Sequence, residues 1–186
     1  ILEYVRPYLQ VPYLSPNTRM KPWLAAVTLD VQVLSALNYL MDEGVDMHFI
    51  NLAEAKGIPI IALENSVEQL RIFADMDEKM SQIFLKATIL ELGKIREVMG
   101  ELQDAWQSGN VVKFEELFFD TFKEWPELLP LVDTIIYQRN DKMFERIIPV
   151  VQQPGVTFVV IGSGHVIGPR GLPALFEKAG YTVKKF

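Results

Sequence analysis

Apolar residues recur at every third or fourth position through most of the chain, and this spacing predicts amphipathic helices. Gly44 and Pro126 each end one of these apolar patterns, as a helix C-cap and as a helix breaker. Helices are therefore predicted over 24–44, 77–107, 111–125 and 171–180, with one or two more over 127–155.

Two shorter helices are indicated by residues that commonly cap helix N-termini. Asp46 is placed to cap a helix that stops at Gly57. Ser66 and Gln69 have the spacing of a capping box at the start of the next helix.

Three short apolar runs interrupt the helical pattern and predict β-strands. They are 58–63 (IPIIAL), 156–162 (VTFVVIG) and 181–186 (YTVKKF). Strands that alternate with helices predict an α/β fold, with a mixed, partly parallel sheet and a large helical insert over 77–150. Three strands make a small sheet, so we expect it to be incomplete in this chain, with the missing strands upstream of Ile1.

Composition narrows the class of protein. The 186 residues fit a single domain and carry a net charge of −6 without a basic stripe, which argues against nucleic-acid binding. The absence of cysteine excludes disulfides, thiolate metal sites and cysteine nucleophiles. The sequence has no apolar stretch long enough to span a membrane. Since the first residue is Ile1, we expect either a removed leader or a piece of a longer protein.

Two ionisable residues follow predicted strands directly. Glu64 comes after 58–63, and His165 follows 156–162 in the glycine-rich stretch GSGHVIGPRG. Parallel strands bring their carboxyl ends to one edge of a sheet, where a histidine and a carboxylate can bind a metal or act as bases. The alternative is that the glycines only form a turn and His165 is incidental, while Glu64 is a solvated turn residue or a partner of the next helix dipole.

Other polar residues are weaker candidates. Asp46 fits a helix cap better than a ligand, and His48 near it makes only a weak metal pattern. Arg139 could clamp a carboxylate or phosphate, although a surface salt bridge is the more common outcome, and Asn140 follows it directly.

Several segments resemble one known family in sequence and in order. GVDMHFINLAEAKGIPIIALENSVEQL, YQRNDKMFERI and FVVIGSGHVIGPRGLPALFEKAGYTV are similar to segments of the TraB/GumN family, to which the animal Tiki proteases are related. The last segment, with glycine-x-x-histidine at Gly162 and His165, is the most specific. The resemblance implies an α/β fold like that of erythromycin esterase and of ChaN-type haem-binding proteins.

The resemblance also implies a metal-dependent, peptidase-like hydrolase. Glu64 and His165 would be its catalytic and metal-binding residues, with Mn, Co or Zn as the divalent ion that activates water. Asp46, Arg139 and Asn140 match recurrent polar positions that bind substrate or shape the site. The three loop glycines Gly162, Gly164 and Gly168 would let the backbone approach a ligand closely.

One part of the family pattern has no counterpart in this sequence. The family's first half carries its own glycine-x-x-histidine, and nothing here matches it. We therefore expect 1–186 to be a single domain that lacks the family's N-terminal half, with two of the three protein ligands of a typical catalytic zinc. An incomplete sheet of this kind could form a homodimer through strand pairing or exchange.

Three functions are open at this point. The first is the hydrolase, and the second is a non-catalytic module that binds a peptide pheromone or another small ligand at the same edge. In the third, the helical insert is an interaction surface and His165 has no function. Family resemblance favours a location outside the cytoplasm, in the periplasm or cell envelope.

Overall fold

Helices form the regular structure of residues 19–185, which is the part of the chain that the computed structural model describes. In chain order they are α1 (Pro22–Ala36), α2 (Val45–Ala55), α3 (Ser66–Ala74), α4 (Glu78–Glu91), α5 (Ile95–Gln107), α6 (Val111–Glu124), α7 (Leu129–Val132), α8 (Gln138–Val151) and α9 (Leu172–Lys178). A π-helical turn, Asp133–Tyr137, joins α7 to α8, and a 3-10 turn, Ser163–His165, precedes α9. None of the helices in this part of the chain is long and apolar enough to cross a membrane.

Helix boundaries differ in several places from those that the sequence predicts. The first helix ends at Ala36 rather than at Gly44. The helix predicted over 77–107 is divided into α4 and α5 at Leu92–Lys94, where Leu92 is buried in the core.

The cap of α3 also lies one residue earlier than predicted. Asn65 accepts a hydrogen bond from the Glu68 backbone N–H at 2.9 Å, and the Glu68 carboxylate accepts one from the Asn65 N–H at 2.9 Å. This reciprocal pair is a capping box, in which the Asn65 amide replaces the predicted Ser66 hydroxyl.

The predicted α/β fold with a partly parallel sheet is wrong for the described residues, which are all-α without any β-strand. Within 19–185, the three predicted strand segments are extended but unpaired. Their backbone–backbone hydrogen bonds there are those of the Ile58 and Tyr181 N–H groups with the preceding helices, and one that the Gly162 carbonyl accepts from the His165 N–H in the 3-10 turn. Their local preference for an extended chain is met, but no neighbouring backbone in this part of the chain completes a ladder.

Several apolar side chains of these segments are exposed, whereas a packed sheet would bury them. Ile60, Ile61 and Phe158 are 51%, 64% and 69% exposed, and Val156 is 99% exposed. The short apolar runs therefore indicated side chains suited to a sheet, but the described chain leaves many of them at the surface.

Helix packing supplies the core instead. Leu29 and Val33 of α1 pack against Leu92 after α4. Near the C-terminus, Met143 and Ile147 of α8 pack with Leu172 of α9, and this cluster also contacts Leu63 and Ile161. The ends of two extended segments are thereby held on the same face of α8.

Candidate functional site

The first half of helix α8 carries the central polar residues of the candidate site. Asn140, Met143 and Ile147 are spaced three and four residues apart, so they lie on one buried face of the helix. Asn140 is 0% exposed, which means that its amide must find partners inside the protein.

His165 supplies one of these partners. The His165 Nδ1 lies 2.7 Å from the Asn140 Oδ1, and the Asn140 Nδ2 donates to the main-chain oxygen of Arg170 at 2.7 Å. Because a carbonyl oxygen can only accept, the amide NH₂ must face Arg170 and its oxygen must face the histidine. In neutral His165 the proton is therefore on Nδ1, and Nε2 carries the lone pair.

The His165 side chain is almost fully buried. The residue is 7% exposed, and Nε2 has no hydrogen-bond partner within 19–185. Burial lowers the pKa of His165 from 6.5 to about 4, and the nearby Arg139 charge adds to this effect while Glu64 opposes it.

Glu64 and Arg139 form an ion pair beside this histidine. The Arg139 Nε and Nη2 donate to the two Glu64 carboxylate oxygens at 2.8 and 2.7 Å, in a bidentate arrangement. The Arg139 Nη1 donates to the Ile135 carbonyl in the π-turn at 3.0 Å. The Arg139 hydrogen bond holds the pKa of Glu64 below its usual value, with a smaller contribution from Gln69.

The loop glycines have separate structural roles. A Cβ on Gly164 would lie 2.7 Å from the Phe118 ring, so any other residue there would require this ring to shift. Gly168 has a φ of 75°, in the left-handed region that favours glycine. At Gly162 a Cβ would make an ordinary 3.6 Å contact with the His165 ring, so the structure does not require glycine there.

Glu64, Arg139, Asn140 and His165 are thus brought together from segments up to 101 positions apart in numbering, 64 to 165. Asp46 is not part of this group: it is exposed in the first turn of α2, where Gly44 occupies the cap position without a side-chain hydrogen bond. The predicted Asp46 cap is therefore wrong, although a carboxylate in a first helical turn still favours the helix dipole.

Comparison with protein-family models gives one match, which covers residues 3–185 and is described as the TraB/PrgY/gumN family. The chain belongs to the TraB/PrgY/gumN family. Neither a curated protein nor a solved structure matches it.

The four grouped residues offer few ligands for a metal ion. Both Glu64 oxygens accept from Arg139, and no group of three His, Cys, Asp or Glu side chains in the described chain could hold an ion. Within this group, only Nε2 of His165 is available as a metal ligand, whereas a typical catalytic zinc has three protein ligands. The described residues therefore do not fit a complete metal site.

Three charged residues beside this group are absent from the sequence prediction. Arg170 donates to Asp133 at 2.7 Å and to Asp141 at 2.9 Å, and its guanidinium lies 4.6 Å from the centre of the Tyr137 ring. The charge in the loop GPRG was visible, but nothing in the sequence showed the π-turn that brings these partners to it.

Proposed function

We propose that this chain is a hydrolase of peptide-like substrates in which the neutral imidazole of His165 acts as a general base. The observation that carries this proposal is the orientation of the ring. Asn140 holds the proton on Nδ1, which leaves the lone pair on Nε2 without a hydrogen-bond partner among residues 19–185. The choice of a peptide as substrate is supported by the family resemblance.

The reaction that this arrangement supports is addition of water to a carbonyl carbon. Nε2 takes one proton from water as its oxygen bonds to the carbon, which gives a tetrahedral intermediate and an imidazolium. The carbon–nitrogen bond then breaks, and the proton on Nε2 passes to the leaving nitrogen. The products are a carboxylic acid and an amine, and His165 returns to its neutral form.

The low pKa of His165 has two consequences for such a base. At neutral pH the imidazole is almost fully unprotonated, so the reactive form is always present. The same low pKa weakens the driving force for proton transfer, which favours substrates with an activated carbonyl. The acid limb of the pH profile is expected near pH 4 rather than near 6.5.

His165→Ala is the direct test, measured as hydrolysis of a fluorogenic peptide set. We expect the rate to fall at least about 100-fold, the lower end of what a positioned general base contributes. His48→Ala is the matched control, because His48 is exposed and outside the site, and it should hydrolyse like the wild type. Equal rates in wild type and His165→Ala would rule the proposal out.

The same assay tests the predicted divalent metal. EDTA, followed by addition of Zn, Mn or Co, is used on wild type and on His165→Ala. Loss of activity with EDTA and its recovery with one ion would show that a metal completes the site with ligands beyond those described. Activity that EDTA leaves unchanged would support the base role alone.

A second function, peptide binding without turnover, is favoured by the unpaired extended segments. The ranges 58–62 and 156–161 expose apolar side chains, and beyond the Ile58 N–H their backbones make no backbone–backbone hydrogen bonds within 19–185. An extended peptide can pair with such a backbone by strand addition. The predicted homodimer by strand pairing would use the same groups.

Hydrogen exchange measures this binding directly. A capped six-residue peptide of alternating valine and threonine should protect the amides of 60–62 and 156–161 in both wild type and His165→Ala. The control is the same peptide with every residue N-methylated, which removes all of its donors and should not protect them. Equal protection by the two peptides, or none by either, would exclude strand addition.

A further inference from the structure

Arg170 occupies the loop between His165 and α9, and its side chain grips the helix that carries Asn140. The guanidinium bonds Asp133 in the π-turn and Asp141 in α8, at 2.7 and 2.9 Å. It also lies 4.6 Å from the centre of the Tyr137 ring, within the range of a cation–π contact. Three contacts from one side chain thus fix this loop against the π-turn and the first turn of α8.

The main chain of the same residue makes the contact that matters for His165. The carbonyl oxygen of Arg170 accepts the Asn140 Nδ2–H at 2.7 Å. If this oxygen moved away, the buried amide of Asn140 would lose the partner that distinguishes its nitrogen from its oxygen. Asn140 could then turn over and present a donor to His165 instead of an acceptor.

We propose that Arg170 is a positioning residue: its side-chain contacts hold its own carbonyl against Asn140, and Asn140 in turn holds the His165 proton on Nδ1. This inference rests on the proposed function, in which Nε2 of His165 is the reacting atom. It assigns a role in the site to an exposed salt-bridge residue whose side chain does not touch the imidazole.

The ion pairs that Arg170 makes with Asp133 and Asp141 are exposed, so their strength should depend on the solution conditions. The Arg170 side chain is 39% exposed, and those of Asp133 and Asp141 are 44% and 49% exposed. Exposed ion pairs are screened by salt, so high ionic strength should loosen the loop. The Lys178 ammonium donates to the Pro169 carbonyl at 2.9 Å, and this contact holds the loop to α9 and not to α8.

The test is Arg170→Ala, measured by ¹⁵N NMR of the imidazole nitrogens in the full chain. The chain has two histidines, and the exposed His48 serves as an internal reference. In wild type we expect His165 to be the Nδ1–H tautomer. In Arg170→Ala the ratio of Nδ1–H to Nε2–H should fall by about tenfold, as for the loss of one buried hydrogen bond. Arg170→Lys should recover part of the ratio, because lysine keeps the charge without the planar fork.

Two further variants keep the test decisive. Asp133→Asn combined with Asp141→Asn should change the tautomer in the same way, even if Arg170→Ala folds poorly. Lys94→Ala is the control, because Lys94 also bridges two carboxylates at the surface, Glu91 and Glu124, and should leave His165 unchanged. A wild-type tautomer in Arg170→Ala, or an equal change in Lys94→Ala, would overturn the inference. The readout needs no turnover, so a protein without hydrolase activity would refute the proposed function and not this one.

Discussion

Glu64→Gln is expected to destabilise the fold by about 3 kcal/mol, because it leaves the Arg139 charge without its counter-ion. The Glu64 side chain is 8% exposed and accepts hydrogen bonds at 2.7 and 2.8 Å from the guanidinium of Arg139, whose side chain is 22% exposed. The loss lies at the low end for a broken buried pair, since water can partly solvate Arg139 and glutamine keeps one acceptor. Urea denaturation at neutral pH measures it as a lower midpoint with an unchanged slope.

Glu68→Gln is the matched control for this prediction. Glu68 also binds an arginine through two oxygens, but its side chain is 36% exposed and that of Arg146 is 40% exposed. Glutamine can also maintain the capping box with Asn65, so the midpoint should move much less than in Glu64→Gln. Similar midpoints for the two variants would mean that the Glu64 pair is no more buried than a surface pair.

Helices were readable from the sequence because helical periodicity is local. Residues three and four positions apart, such as Asn140 and Met143 in α8, share a face whatever the rest of the fold does. The predicted strands are absent from the described residues because a strand needs a second strand to pair with, and a local sequence pattern does not supply one. Segment 156–161 is extended as its composition favours, yet Val156 remains almost wholly exposed.

The candidate site, like the fold, was predictable only as far as the local sequence shows it. Glu64 and His165 were recognisable as ionisable residues at the ends of apolar runs, and the structure brings both to α8 although no sheet edge presents them. Glycines around His165 could be noticed, but their roles could not, since the Phe118 ring that a Cβ at Gly164 would displace belongs to another helix. Arg170 was missed for the same reason: its partners are 29 and 37 positions away.

Asp30 and His165 should make nearly opposite contributions to the pH dependence of stability. Burial raises the pKa of Asp30 in α1 from 3.8 to about 6, so the folded state binds this proton more tightly than the unfolded state does. Asp30 therefore adds stability as the pH falls through 6. Burial lowers the pKa of His165 from 6.5 to about 4, so the unfolded state takes up that proton first, and stability is lost as the pH falls through 6.5.

Single substitutions should separate these opposing contributions. From about pH 7.5 to about pH 5, linkage predicts a loss of about 2 kcal/mol from His165 and a gain of about 1.4 kcal/mol from Asp30, so the wild type changes by less than about 1 kcal/mol. Asp30→Asn retains only the His165 contribution, so it should lose stability over this pH range. His165→Gln retains only the Asp30 contribution, so it should gain stability over the same range. Urea denaturation at both pH values measures each slope, and the double variant, which lacks both groups, is the control. Below about pH 5 the lowered pKa of Glu64 begins to reduce stability as well, which sets the lower end of the useful range. If Asp30→Asn remained as flat as the wild type, His165 would titrate at its ordinary pKa, and the buried neutral imidazole on which the proposed chemistry depends would be lost.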